Sequence, residues 1–172
     1  GMKKDLEAQM ESYGVSMTEM RAASQVELPF SADKTPQQAL ALIEAYNQKV
    51  AKARETEAGL TTGLAIFGIV PTEHKDLQAT AKDLDLLTKI WNVTIEWESH
   101  WEGWKQGKFS DLDVEDMENI AGQYTKQVSK LGREIKRWRV WENMKDKLDK
   151  FREITPLIQD MRNKALRPRH WS

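Results

Sequence analysis

Between Leu77 and Trp104 the chain carries two apolar stripes side by side on one helical surface, and no fold can leave either stripe in water. At about 100° per residue, Trp97, Trp101 and Trp104 fall within roughly 60° of one another, on the face that also holds Leu86, Ile90 and Val93. Leu77, Leu84, Leu87 and Trp91 step by sevens, threes and fours along the neighbouring face. A single stripe serves a two-helix contact. Two adjacent stripes need partners on both sides, and that means a bundle with this helix at its centre.

Around that helix the spacing predicts four others. Residues 3–24 carry Leu6, Met10, Tyr13, Met17 and Met20 as a narrow seam, weakened at Gly14 by about 1 kcal/mol relative to alanine. Leu28-Pro29-Phe30 cannot continue a helix and is expected to lie extended. Thr35 offers an N-cap hydroxyl and Pro36 a first helical position, opening a helix over 36–67 with Ala39, Ile43, Tyr46, Val50 and Leu60 inward and Gly68 as C-cap. The central helix is expected over 71–106, opened by Pro71 with Glu73 in its first turn.

Asp111 or Asp113 caps the next helix, expected over 113–138 from the run Val114, Met117, Ile120, Tyr124, Val128, Leu131, Ile135 and Trp138. A break near Arg139 leads into a last helix over 140–162, with Trp141, Met144, Leu148, Phe151, Ile154, Ile158 and Met161 in one phase. Pro156 interrupts it, predicting a kink or a short restart capped by Thr155. Residues 163–172 leave the bundle. No alternating strand pattern and no Asn-Gly or Asp-Gly turn occurs. The fold class is all-α: an elongated antiparallel bundle of about five helices, those of ~30 residues being ~45 Å long.

Composition narrows the function. Basic and acidic residues balance at 26 and 27, a net charge of -1, which gives no field for a polyanion or an anionic membrane. With no cysteine, disulfides and thiolate metal sites are excluded, as suits a reducing intracellular compartment. The longest apolar run, Leu64 to Val70, is far short of the ~20 residues that span a bilayer. The N-terminus lacks a secretion signal, and Gly1-Met2 reads as the scar of a cleaved tag before the native start of a fragment.

Gly103-Trp104-Lys105-Gln106-Gly107-Lys108-Phe109 is one residue short of a phosphate-binding loop and has Phe where the hydroxyl belongs. Glu96 and His100 are spaced i, i+4, with no second pair to complete a di-iron site. Ser99 and His100 are sequence neighbours that point to different helix faces. The cluster Lys126, Lys130, Arg133, Lys136, Arg137 and Arg139 reads as a solvated, partner-docking face rather than a nucleic-acid site. No catalytic, cofactor-binding or metal-binding residue is assigned. That leaves seven tryptophans in 172 residues. Each buries ~150–250 Å², so most are core. Trp97, Trp101 and Trp104, near the end of the central helix, are also candidate anchors for another segment of a larger protein.

Several runs resemble the stem of axonemal (ciliary and flagellar) dynein heavy chains. These are Ile66-Phe67-Gly68-Ile69 before Pro71, Leu84-Asp85-Leu86-Leu87 with Trp91, and Trp97-Glu98-Ser99-His100-Trp101-Glu102-Gly103-Trp104 followed by Leu112-Asp113-Val114. The most specific are Pro156-Leu157-Ile158-Gln159-Asp160-Met161-Arg162-Asn163 and Ala165-Leu166-Arg167-Pro168-Arg169-His170-Trp171. The resemblance covers roughly residues 60–172. In that family the Leu-Arg-x-Arg-His-Trp run stands where the stem passes into the linker, the arm that swings over the ring of ATPase modules. The family's nucleotide-binding loops have no counterpart in this span.

The resemblance implies a non-catalytic stem segment that transmits force between the tail and the ATPase motor head, in the axonemal cytoskeleton of a cilium or flagellum. Its partners would be the rest of the heavy chain, with another heavy chain or intermediate or light chains as further candidates, and neither nucleic acid nor membrane. Pro156 and Arg167-Pro168-Arg169 become the expected bending points. His170 and Trp171, with Arg169, are expected to find their packing partners downstream. The competing reading is a free-standing spectrin-like or coiled-coil interaction module, which a repeat near 106 residues would favour; none occurs.

Overall fold

The structure, a computed structural model, describes residues 1–31, 33–70, 74–107 and 112–166. These are all-α: α1 Met2–Glu27, α2 Pro36–Ile66, α3 Lys75–Gln106, α4 Val114–Ser129 and α5 Arg139–Leu166, with a 3-10 turn at Ile135–Arg137 before α5. Where the sequence reading treats residues 1–172 as one bundle, the structure groups them into two compact units. The first holds Gly1–Pro29 and Lys34–Thr88, the second Phe30–Asp33 and Lys89–Ser172. α3 contributes residues to both. His74 precedes α3 without being helical, so the helix begins later than position 71; Pro71 and Glu73 themselves lie outside the described residues.

In the first unit α1 and α2 run antiparallel. Leu6 lies against Gly63, where an added Cβ would come within 3.1 Å of it, Tyr13 donates to Glu57 at 3.4 Å, and Tyr46 donates to Glu27. The start of α3 runs parallel to α1, since Tyr13 packs edge-on against His74, Thr18 donates to Asp76 at 3.1 Å, and Arg21 pairs with Asp83. The helix ends follow local chemistry. Thr35 and Gln38 form a reciprocal capping box, each bond 3.2 Å. At the far end of α2, Gly68 takes φ +72°, and the amides of Ile69 and Gly68 reach back to Leu64 and Ala65, so the last carbonyls are satisfied as only a left-handed residue allows. α1 runs three residues beyond the expected end at 24, to Glu27, and stops before Pro29.

Burial and the adjacent Glu57 carboxylate push the Tyr13 phenol up to about 12, and burial with the Glu27 hydrogen bond does the same for Tyr46. Folding therefore favours the neutral phenols, and their contribution is full below the unfolded value near 10 and disappears as pH rises through about 12. In an alkaline titration followed by far-UV circular dichroism, helix should be lost between those values. Tyr46→Phe should remove part of that pH dependence, and an unchanged curve would show that the phenol is not its source.

In the second unit the helix expected over 113–138 is two pieces. α4 is capped by Asp113, whose carboxylate accepts from the Asp116 amide at 3.1 Å, and ends at Ser129. Gly132 then takes φ +105°, which no other residue adopts cheaply, and the chain re-enters as one 3-10 turn with Trp138 extended. The break is sealed twice. The Trp141 indole donates at 2.9 Å to the Val128 carbonyl, which in the last turn of α4 also accepts the Leu131 amide at 3.4 Å. The Val140 amide, a donor in the first turn of α5, is taken at 3.0 Å by the carbonyl of Phe30, whose ring packs edge-on against Trp138. The extended Leu28-Pro29-Phe30 segment thus supplies a partner to a helix start.

α5 is antiparallel to α4, as the Trp141 bond to Val128 and the Arg162 bond to the Leu112 carbonyl fix opposite ends. It is parallel to the later part of α3, with Thr94 on Met144, Glu98 near Lys147 and Trp101 on Phe151. Its buried row is Val140, Met144, Leu148, Phe151 and Thr155. Ile154 and Met161, expected inward, are exposed, and Ile158 is half-buried. Both rows fit helical spacing, and contact with α3 and α4 selects between them.

Candidate interaction face and bending point

The three central-helix tryptophans have different fates. Trp97 is only 4% exposed and stands edge-on to Trp104, Tyr124 and Phe151, with ring centroids 5.6, 6.2 and 4.8 Å away. Trp104 is half-buried, stacked flat on Phe151 at 5.3 Å and on His100 at 5.8 Å. Trp101 is 39% exposed and touches Phe151 with its edge at 5.9 Å. Trp97 is therefore a core residue, Trp104 its cover, and Trp101 the one that faces solvent. Beneath them burial, then the nearby Glu96 carboxylate, raises the Tyr124 phenol above its ordinary range.

Trp97, Trp101, Lys147, Lys150, Phe151 and Ile154 line a groove of ≈ 270 Å³. From its end the exposed face of α5 continues as Ile154, Leu157 and Met161, at i, i+3 and i+7. The sequence reading placed Ile154 and Met161 in the core seam and overlooked Leu157. The signal was present: α5 holds two interleaved apolar rows, and a helix seated in one unit needs only one. Removing the Trp101 indole should cost less than about 1 kcal/mol, since over a third of it is already in water. A larger loss in urea denaturation would place it in the core after all.

Pro156 sits inside α5, which continues through it to Leu166 rather than restarting. The ring has no N–H for the Arg152 carbonyl four residues back. The hydroxyl of Thr155, itself 1% exposed, donates to that carbonyl at 3.1 Å instead. Thr155 is thus a side-chain substitute for the missing bond and not the N-cap of a new helix. Arg167, Pro168, Arg169, His170 and Trp171 lie outside the described residues, and with them the expectation about their packing partners.

Elsewhere the polar residues have packing roles. His74 packs on Tyr13, with its Nε2 buried and without a hydrogen bond, and His100 lies between Trp104 and Tyr124. Ser99 is exposed. All six basic residues from Lys126 to Arg139 are exposed, and the Lys136 ammonium sits 5.8 Å from the Trp141 ring centre. Among the described residues no group of three or more His, Asp or Glu could hold a metal ion, and no helix is long and apolar enough to cross a membrane.

Comparison with known proteins agrees with the resemblance read from the motifs. Residues 77–172 match the family of dynein heavy chains, N-terminal region 2. The chain is 46% identical over 143 residues, 83% of its length, to the dynein-1-beta heavy chain of the flagellar inner arm I1 complex of Chlamydomonas reinhardtii. It is 37% identical over 145 residues, again 83% of its length, to mouse dynein axonemal heavy chain 2, and 42% identical over 120 residues, 69% of its length, to the human protein. In each case it spans 3% of the relative's length. The family match over the second unit and the end of the first, together with these identities, places the chain in the axonemal dynein heavy chain family.

Proposed function

We propose that this span is a non-catalytic piece of the heavy-chain stem, just before the linker, and that it carries force between the tail and the ATPase motor head in the axoneme of a cilium or flagellum. The observation that carries the reading is the match to heavy-chain N-terminal region 2, reaching residue 172. The packing supports it. Each unit is built on long helices with buried seams, and close-packed interiors yield little under load. Pro156, where one backbone bond of α5 is replaced by a side-chain bond, and Arg167-Pro168-Arg169 beyond it are the bending points. The rest of the heavy chain is the primary partner, and the exposed basic residues around the α4–α5 turn are a surface for an intermediate or light chain or a second heavy chain.

The test is an intact heavy chain carrying Trp97→Ala, which loosens the second unit. Anchored by its tail, it should move microtubules against load at least twofold more slowly while its ATPase rate stays unchanged. Anchored at the linker instead, it should regain normal speed. Unaltered loaded gliding, or ATPase lost in parallel, would overturn the proposal.

A further inference from the structure

From residue 119 to residue 141 the chain carries six basic side chains and one carboxylate, Glu134, a net +5 in a protein whose total is -1. Lys126, Lys130, Arg133, Lys136, Arg137 and Arg139 are all exposed around the turn that joins α4 to α5. Three of them have a local reason to be there. Lys126 and Lys130 stand at the C-terminal end of α4, where cations favour the helix dipole. Arg139 shares a cleft with Asp33, Glu142 and Asp146, so carboxylates lie close to its charge. Neither reason reaches Arg133, Lys136 and Arg137, which follow the end of α4 and do not line that cleft.

The backbone that presents these charges is pinned. Gly132 turns it at φ +105°, the Trp138 amide closes the 3-10 turn on the Ile135 carbonyl at 3.0 Å, and the fully buried Ile135 side chain anchors the turn from below. The Trp141 indole ties the start of α5 to Val128 at 2.9 Å, and the Lys136 ammonium rests 5.8 Å from the centre of that ring. Charges on a fixed scaffold lose less freedom on binding than charges on a loose loop.

Resting on the reading that this turn is a docking surface, we propose that it takes a carboxylate-rich segment of a separate polypeptide, with Lys126, Lys130, Arg133, Lys136 and Arg137 supplying the contacts. The charge of the turn sets the sign of the partner, and its neighbours set the class. The guanidinium forks of Arg133 and Arg137 match carboxylates two bonds at a time. A single-stranded polynucleotide also needs rings on which to stack its bases. Here both nearby indoles are half-buried and already engaged, Trp138 by Phe30 and Trp141 by Val128 and Lys136. A membrane surface needs apolar side chains to insert, and among the described residues from 119 to 141 no large one is exposed. An acidic peptide needs neither.

The test is binding of a deca-glutamate peptide to the 172-residue chain, read by fluorescence anisotropy in about 50 mM salt, where exposed charges are weakly screened. Arg133→Gln with Lys136→Gln and Arg137→Gln should weaken binding about tenfold at unchanged helix content, since all three side chains are exposed. Lys49→Gln with Lys52→Gln and Arg54→Gln removes the same charge from exposed positions of α2 and should leave the affinity within about twofold. Arg137→Gln alone should cost about threefold and gives the same reading if the triple variant unfolds. Absence of peptide binding overturns the proposal, and so does equal loss from the two triple variants. Tighter binding of a thymidine oligonucleotide, or of phosphatidylserine vesicles, assigns the turn to another class of partner and overturns it too. Self-association of the chain that the first triple variant abolishes indicates a second copy, with the same consequence. Loaded gliding can fail its test while peptide binding holds, so the two readings fall separately.

Discussion

Replacing Trp97 with alanine lowers the stability of the second unit by about 3–5 kcal/mol, the largest single-residue effect expected here. The ring is almost fully buried and holds Trp104, Tyr124 and Phe151 in edge contact. A buried indole removes ~200 Å² from water, worth about 5 kcal/mol at ~25 cal/mol per Å². The cavity left behind cannot collapse fully, because three rings and two helices border it. Urea denaturation followed by tryptophan fluorescence reads the loss cleanly. All seven tryptophans fall at position 91 or later, in the second unit, so the signal comes from that unit alone. A Trp97→Ala cost no greater than that of Trp101→Ala would mean that the aromatic cluster is not the core of this unit.

Pro156→Ala should act in the opposite direction, raising stability by about 2 kcal/mol. A proline inside a helix costs ~3 kcal/mol through its missing N–H and its clash with the preceding turn. Removing it also loosens the unfolded chain, which takes back part of the gain. The residue is exposed, so no packing is lost. Thr155→Val in the natural chain leaves the Arg152 carbonyl without its donor, a loss of about 1–2 kcal/mol. In the Pro156→Ala background the alanine amide takes over that carbonyl, and the same Thr155→Val change should become nearly neutral. A double-mutant cycle measures the difference. Additive effects would show that the hydroxyl does not stand in for the missing amide.

How much of this was legible beforehand differs from element to element. Thr35-Pro36, Gly68 and Asp113 declare their helix ends because capping is local chemistry, decided within four residues. The two stripes of α3 are legible for a related reason. Leu77, Leu84, Leu87, Trp91, Leu86, Ile90 and Val93 are all buried, because two adjacent rows on one helix need cover on both sides, and only at the end of the first stripe does Trp101 stay in water. The run from Val114 to Trp138 misleads because a 3-10 turn after a glycine keeps the apolar spacing almost in phase. Periodicity alone cannot see the break. In α5 the failure is a choice between two valid rows. Thr155 is buried and Ile154 exposed because α3 and α4 take one side of the helix, and because a hydroxyl is needed beside Pro156.

The sequence by itself determined the class of the fold, the capped helix ends at Thr35, Gly68 and Asp113 and, through its motifs, the family. Each of these depends on residues close together in the chain or on a run read as a unit. The tertiary structure alone decided which tryptophan is core and which is surface, which row of α5 is left open, and which distant carbonyls and indoles seal the α4–α5 break. Those outcomes depend on which neighbour reaches a side chain first, and that neighbour is often fifty residues away.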